Sequence, residues 1–235
     1  MSNNSFTFQK FTIHQDRCAM KVGTDGVLLG AWAHGGKRIL DIGTGTGLVA
    51  IMMAQRFADA HVTAVEIDHN AALQACYNAK CSPFASRIGI VETSIQNFEV
   101  YGTQLFDSIV SNPPFFTDSL KNPDSQRATA RHADTLTYRD LFTAVKRLLV
   151  EDGEFSAIIP SNCLTSFIAE AYLAHLVPIR QLAIRTTPRK QPKRILVSFG
   201  HTSSESNATN EEQCLMNPDG SRSDWYINLT SDFYL

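Results

Sequence analysis

Residues 40–47, Leu40-Asp41-Ile42-Gly43-Thr44-Gly45-Thr46-Gly47, decide the fold. The run before the glycines, Lys37–Asp41 (KRILD), reads as a buried strand, and Leu48–Arg56 after them reads as a helix. Glycines at such a junction permit positive φ and let a ligand approach the backbone with no β-carbon in the way. Nineteen residues beyond Gly47, at the end of the next β-rich run, stands Glu66. A carboxylate in that place can accept both hydroxyl hydrogens of a ribose. Two kinds of nucleoside-containing ligand suit this layout. The dinucleotide fingerprint spaces its glycines G-x-G-x-x-G and turns a helix N-terminus toward a pyrophosphate. Here the spacing is G-x-G-x-G with Asp41 two residues ahead. A carboxylate beside the first glycine suits a ligand carrying an ammonium and a sulfonium rather than two phosphates. Taken alone, the loop is also compatible with a tight strand–helix turn that holds nothing. A P-loop is excluded, because Gly36-Lys37 lacks both the upstream glycine and the hydroxyl residue that must follow.

Outward from this loop, β-rich runs alternate with helical stretches. His61–Glu66, Ile88–Val91, Phe106–Ser111 and Glu154–Pro160 read as further buried strands, and His69–Lys80, Tyr138–Glu151 and Asn162–Leu176 as helices. Tyr138–Glu151 places Leu141, Val145 and Leu148 on one face, Thr137 can cap its start, and Gly153 is expected to stop it. Such alternation implies βαβ units and a mostly parallel sheet. Ile179–Arg185 and Arg194–His201 add two strands around a Pro-containing basic turn. Residues 37–201 therefore form the core of a single expected domain, preceded by a Phe- and Gly-rich segment, 1–36. Within 202–235, Thr202–Gln213 is polar and expected to be an exposed loop. Trp225, Leu229 and Phe233 then recur every four residues, as in a short docking helix.

Composition narrows the function classes. The chain has 235 residues, of which 43% are apolar, enough for a sizeable core. Its net charge of −2 is no global nucleic-acid signature, so any such partner needs a local basic face. Arg180–Arg194 is one candidate, carrying Arg189, Lys190, Lys193 and Arg194 with no acidic residue in the run. Arg127 and Arg131, in a polar loop, are another. No apolar run reaches bilayer length, and Met1–Gln9 is no secretory signal. The five cysteines are accordingly expected to be reduced thiols in a cytoplasmic protein. The histidines show no metal spacing, and C-x-x-C and G-x-S-x-G are both missing, so metal and hydrolase chemistry are not indicated.

The chemistry is concentrated in Asn112-Pro113-Pro114-Phe115, directly after Phe106–Ser111. Two successive prolines cannot continue a strand or enter a helix, so the chain leaves the sheet here. Each proline also holds the residue before it in an extended conformation. The Asn112 amide oxygen and the Pro113 carbonyl are thereby presented together, two acceptors that suit a planar NH2 group. An exocyclic amine is a poor nucleophile because its lone pair is delocalised into the ring. Accepting both of its hydrogens favours the pyramidal geometry of the transition state. Phe115 offers a stacking face for an extruded base. The motif alone also fits an ordinary Asn-Pro turn with a buried phenylalanine. Third in order after the glycine loop and Glu66, it points to N-methylation of a planar amine.

The glycine loop with Asp41 resembles the first motif of class I S-adenosylmethionine (SAM) methyltransferases, (D/E)-x-G-x-G-x-G. Asn112–Phe115 is similar to the N-P-P-(F/Y) motif of amino methyltransferases acting on adenine N6, guanine N2 or the glutamine side-chain amide. Asp16–Trp32, with Phe6–Phe8, Arg131-His132 and the Phe-Tyr-Leu C-terminus, is similar to the bacterial valine-tRNA adenine-37 N6-methyltransferases. The likeness runs nearly the whole length. It implies an α/β, Rossmann-like fold whose seven-stranded, mostly parallel sheet has helices on both faces and an antiparallel last strand. It implies SAM as cofactor, held by Lys21, Gly23, Thr24 and Asp25 over the methionine end, and by Asp41, Gly43, Gly45, Gly47, Glu66, Ser94, Ile95 and Asn112. Asn112, Pro113, Pro114 and Phe115 would be catalytic and tRNA the partner. A monomer is expected, but the resemblance does not specify the oligomeric state. One departure is Ser94, where the family commonly places an acidic residue for the cofactor's adenine. The alternatives are a protein glutamine N5-methyltransferase, an rRNA amino-group methyltransferase, and an RNA-binding module of the same fold without catalysis.

Overall fold

The computed structural model of the chain describes residues 4–18, 21–100, 104–114, 136–201 and 208–235. Two short N-terminal strands, β1 (Ser5–Thr7) and β2 (Thr12–His14), pair antiparallel. Helix α1 (Thr24–Trp32) follows, and then the alternation anticipated from the apolar runs begins. It comprises β3 (Arg38–Ile42), α2 (Leu48–Arg56), β4 (His61–Glu66), α3 (His69–Cys81), β5 (Ile88–Glu92) and β6 (Phe106–Ser111). After residue 136 come α4 (Tyr138–Leu148), β7 (Leu149–Pro160), α5 (Leu164–Leu173), β8 (Leu176–Arg185), β9 (Arg194–His201), β10 (Thr209–Cys214) and α6 (Asp224–Thr230).

The large sheet has the order β10-β8-β9-β7-β6-β3-β4-β5. Strand β9 is antiparallel to both neighbours, and the remaining adjacent pairs are parallel. Successive side chains of a strand point to opposite faces, so each buried strand feeds two cores. Leu40, Ile109 and Ile159 join Phe142 and Phe167 beneath α4 and α5. Ile39, Val110 and Ile158 join Leu28, Val49 and Met53 beneath α1 and α2. From β3 the chain steps outward to β4 and β5, then returns to β6 on the other side of β3. Open α/β sheets bind ligands at such a reversal, beyond the carboxyl ends of the strands. Register makes the reversal level: Ile42 pairs with Ser111 and also with Val65, so Gly43, Asn112 and Glu66 leave the sheet side by side.

The structure corrects three expectations. The sheet has eight strands rather than seven, because β10 (Thr209–Cys214) takes up the end of Thr202–Gln213, the stretch expected to be a loop. As an edge strand it pairs with β8 on one side only, and four of its six residues are exposed, so it needs no apolar alternation. Helix α4 ends at Leu148, not at Gly153, which lies inside β7. A β-carbon at Gly153 would meet the Leu149 side chain at 2.7 Å and the Asp107 carbonyl at 3.0 Å, so the glycine serves a close strand approach. Helix α5 starts two residues late, after a 3-10 turn (Ser161–Cys163), and stops before His175, whose φ is +59°. None of the described helices is long and apolar enough to cross a membrane.

Candidate active site

The three loop glycines all have positive φ, and the space around each differs. Among the described residues, a β-carbon at Gly43 would meet nothing within 4 Å, and one at Gly45 only the Cys18 sulfur at 3.9 Å. At Gly47 it would press on the Ala75 backbone at 3.3 Å. Gly47 thus lets α2 approach α3, while Gly43 and Gly45 leave a cradle open. The Gly43 and Thr44 N–H groups both donate to the Val65 carbonyl, binding the loop to β4.

Two carboxylates hold the cradle from below. Buried Asp41 accepts from the Thr44 hydroxyl at 2.6 Å and from the Ala50 N–H at 3.1 Å, both through Oδ2. Burial pushes its carboxyl up to about 7; those two donors oppose the shift and the charge of Glu66 adds to it. Glu66 accepts the Gly45 N–H at 2.8 Å through Oε2, and the Ile67 and Asp68 N–H groups through Oε1. Three backbone donors therefore orient a carboxylate at the end of β4.

A cavity of about 440 Å³ opens above this floor. Its walls bring together Lys21, Gly23, Thr24 and Asp25, then Asp41, Gly43 and Gly45, and finally Asn112 and Arg194. Among the described residues, the Asn112 amide oxygen is buried without a hydrogen-bond partner. Pro113 is buried and Pro114 exposed. Gly47 and Glu66 support the walls without lining them. Ser94 and Ile95 lie in the turn after β5 and do not line the cavity. The Ile95 side chain is in the core and its carbonyl accepts from Arg147, while the Ser94 hydroxyl accepts the Asn97 N–H. Thr93 N–H donates to the Glu66 carbonyl, so that turn abuts the end of β4. Phe115, Arg127 and Arg131 lie outside the described residues.

The basic run divides in two. Arg180 stacks 4.1 Å from the Trp32 ring centroid and pairs with Glu154. Arg185 pairs with Glu212 at 2.6 Å, and Arg194 with Asp25 at 2.7 Å. Arg189, Lys190 and Lys193 are exposed. Sequence reading missed the Asp25–Arg194 pair, which joins residues 169 positions apart. It also missed Ile67, 54% exposed immediately after Glu66. Asn78 went unnoticed too: its side chain donates to the His14 and Thr46 carbonyls and accepts the His14 N–H. Its signal was present, since Gln74 and Asn78 are amides four apart on a helix otherwise rich in alanine.

The methyltransferase small domain family matches residues 22–175. The chain is 50% identical over 242 residues to the tRNA1(Val) (adenine(37)-N6)-methyltransferase of Bacteroides fragilis, a match spanning 100% of this chain and 99% of that protein. It is 42% identical to the enzyme of the same name from Aeromonas hydrophila, over 99% of this chain and 98% of that one. Among solved structures it is similar to an Agrobacterium tumefaciens protein described as a predicted O-methyltransferase. That likeness has a TM-score of 0.68 at 18% identity, covering 89% of this chain and 96% of the other. It also resembles the glycopeptide N-methyltransferase MtfA complexed with SAM, with a TM-score of 0.56 at 12% identity over 77% and 100% of the two chains. At these identities the two structures speak for the fold alone.

Proposed function

The chain belongs to the methyltransferase small domain family and, within it, to the tRNA1(Val) (adenine(37)-N6)-methyltransferases, and from that premise we propose that it uses SAM to methylate N6 of adenine 37 in the anticodon loop of valine tRNA. The observation that carries the reading is the Asn112 amide oxygen, buried and unpartnered on the wall of a cavity floored by the glycine loop.

The residues present fit the cofactor. Gly43 and Gly45 hold open a space that any β-carbon would enter, and Asp25 and Asp41 offer carboxylates to an ammonium. Lys21, Gly23 and Thr24 close the methionine end. Glu66, fixed by three N–H donors, takes the ribose hydroxyls, and Ile67 gives the adenine an apolar face. Ser94 and the Ile95 N–H, in the turn hydrogen-bonded to the end of β4, receive the adenine edge. When bound, SAM supplies an electrophilic methyl group carried on a sulfonium.

The protein's own part is to bind, orient and exclude. Asn112 and Pro113 accept the two hydrogens of the target amine, aim its lone pair into the cavity and favour its pyramidal form. The methylated nitrogen is cationic and acidic, so its proton needs no strong base. Phe115 stacks on the extruded adenine, where the anticodon loop already leaves bases unpaired. Arg189, Lys190, Lys193, Arg127 and Arg131 hold phosphates, and the protein works in the cytoplasm.

The test is transfer of labelled methyl from SAM to unmodified valine tRNA, followed by mass spectrometry of the nucleosides. N6-methyladenosine from the anticodon loop is expected. Label in a peptide glutamine or in guanosine would overturn the substrate assignment.

A further inference from the structure

Of the four basic-turn residues first assigned to RNA, Arg194 stands apart. It is the first residue of β9, paired in register with Pro160 of β7, and its side chain turns toward the cavity rather than outward with Lys193. Its Nε donates to Asp25 Oδ2 at 2.7 Å, and the two side chains are only 34% and 25% exposed. Asp25 sits in the first turn of α1, where the backbone is loosely closed. The N-cap is Gly23, which offers no capping side chain, and the first helical bond, Val27 N–H to the Gly23 carbonyl, is 3.4 Å long. A glycine N-cap leaves the first N–H groups of the helix without a side-chain acceptor. A half-exposed ion pair adds little to global stability. Here it does something else: it ties the first turn of α1 to the first residue of β9, and both partners line the cavity.

We propose that Arg194 is a positioning residue of the cofactor cavity, fixing the Asp25 carboxylate and the first turn of α1 against the methionine end of the methyl donor. The proposal rests on the SAM reading given above. Asp25 meets the donor's ammonium, and Arg194 holds Asp25 where that contact forms. Without Arg194 the carboxylate can turn into water, and each binding event must first order the helix end. The loss therefore falls on donor binding. The RNA face keeps Arg189, Lys190 and Lys193.

Calorimetry with SAM, steady-state kinetics and tRNA binding at several salt concentrations test this on the full-length protein. Arg194→Ala is expected to raise Kd and KM for SAM about tenfold while kcat falls less than about threefold, a split that marks lost donor binding. Its tRNA salt slope should equal that of the wild type, whereas Lys190→Ala and Lys193→Ala should each flatten the slope by about one. Asp25→Asn should lose at least as much SAM affinity as Arg194→Ala, because it removes the contact itself, and the double variant should be no worse than Asp25→Asn, because Arg194 acts through Asp25. Arg194→Lys should recover most of the affinity. Should Arg194→Ala fail to fold, Asp25→Asn and Arg194→Lys decide alone. Unchanged SAM affinity in Arg194→Ala, additive losses in the double variant, or a flattened salt slope for Arg194→Ala would each overturn the proposal. A wild-type protein that does not bind SAM would instead overturn the cofactor reading itself.

Discussion

A buried amide oxygen without a partner costs about 1–3 kcal/mol, and Asn112 bears that cost on the cavity wall. A residue serving only the turn would have no reason to keep it. Asn112→Ala should therefore leave thermal stability unchanged or slightly raised, while single-turnover methyl transfer falls by roughly two to three orders of magnitude, as for other preorganised acceptors and donors. SAM affinity measured alongside should hardly move. Near-normal turnover would reduce Asn112 to a turn residue. Asp41 yields a pH prediction with a definite sign. Its carboxyl is raised from the ordinary 3.8 to about 7, so the folded chain binds more protons than the unfolded one between those values. Stability attributable to Asp41 accordingly declines as pH rises from 3.8 to about 7 and is flat above. A cationic ligand prefers the ionised form, so SAM affinity should climb as pH rises toward 7 and level off beyond it, with proton release on binding. Calorimetry in buffers of different ionisation enthalpy would show this, and Asp41→Asn should remove the climb. Gly45→Val strains a φ of +57° and puts a branched side chain into the cradle, so SAM binding should vanish from a chain that still folds.

Between elements, what matters is which strands end together. The level ends of β3, β4 and β6 place Gly43, Glu66 and Asn112 in one row; that each motif follows a buried strand was legible from the β-rich runs before it, whereas the order of those strands in the sheet was not. Contacts between distant segments were not legible. Six cations between Arg180 and Arg194 look alike in sequence, yet Arg180, Arg185 and Arg194 are engaged by Glu154, Glu212 and Asp25. Pairing across the fold leaves no local periodicity to read. Strand β10 was missed for a related reason, since an edge strand borrows its order from β8 and can be wholly polar. Gly153 misled because a helix stop and a close strand approach call for the same residue. The three exposed cations give a prediction at this scale. Replacing Arg189, Lys190 and Lys193 together with Ala should weaken tRNA binding and lower the slope of log affinity against log salt by about 2.7, with SAM affinity intact. An unchanged slope would move the RNA face elsewhere.

At the scale of the whole molecule the two chain ends close over one face, and they do so upstream of the cavity. The Gln9 backbone N–H donates to the Phe233 carbonyl at 2.9 Å, and its side chain donates to the Ser231 and Tyr234 carbonyls. Gln55 donates to the Asp232 carbonyl at 2.7 Å, Phe8 stacks between Phe11 and Tyr234, and Phe233 is 1% exposed. The clasp holds the β1–β2 hairpin, and the hairpin leads to the site by two routes. Asn78 bridges His14 to the Thr46 carbonyl in the glycine loop, and the Gln15 side chain accepts the Val22 N–H of the segment lining the cavity. Removing residues 231–235 should therefore do more than expose a core. Loss of the buried Phe233 ring alone is worth about 3–5 kcal/mol, which thermal unfolding would register as a clear drop in Tm. If the clasp also sets the cavity wall, the truncated chain should bind SAM several-fold more weakly at a temperature where it is still fully folded. The milder Gln9→Ala should show a smaller loss in the same direction, because it cuts only the two side-chain hydrogen bonds and keeps the backbone one. A truncated protein that is less stable yet binds SAM as tightly as the intact one would show that the ends are a fastening of the fold and nothing more.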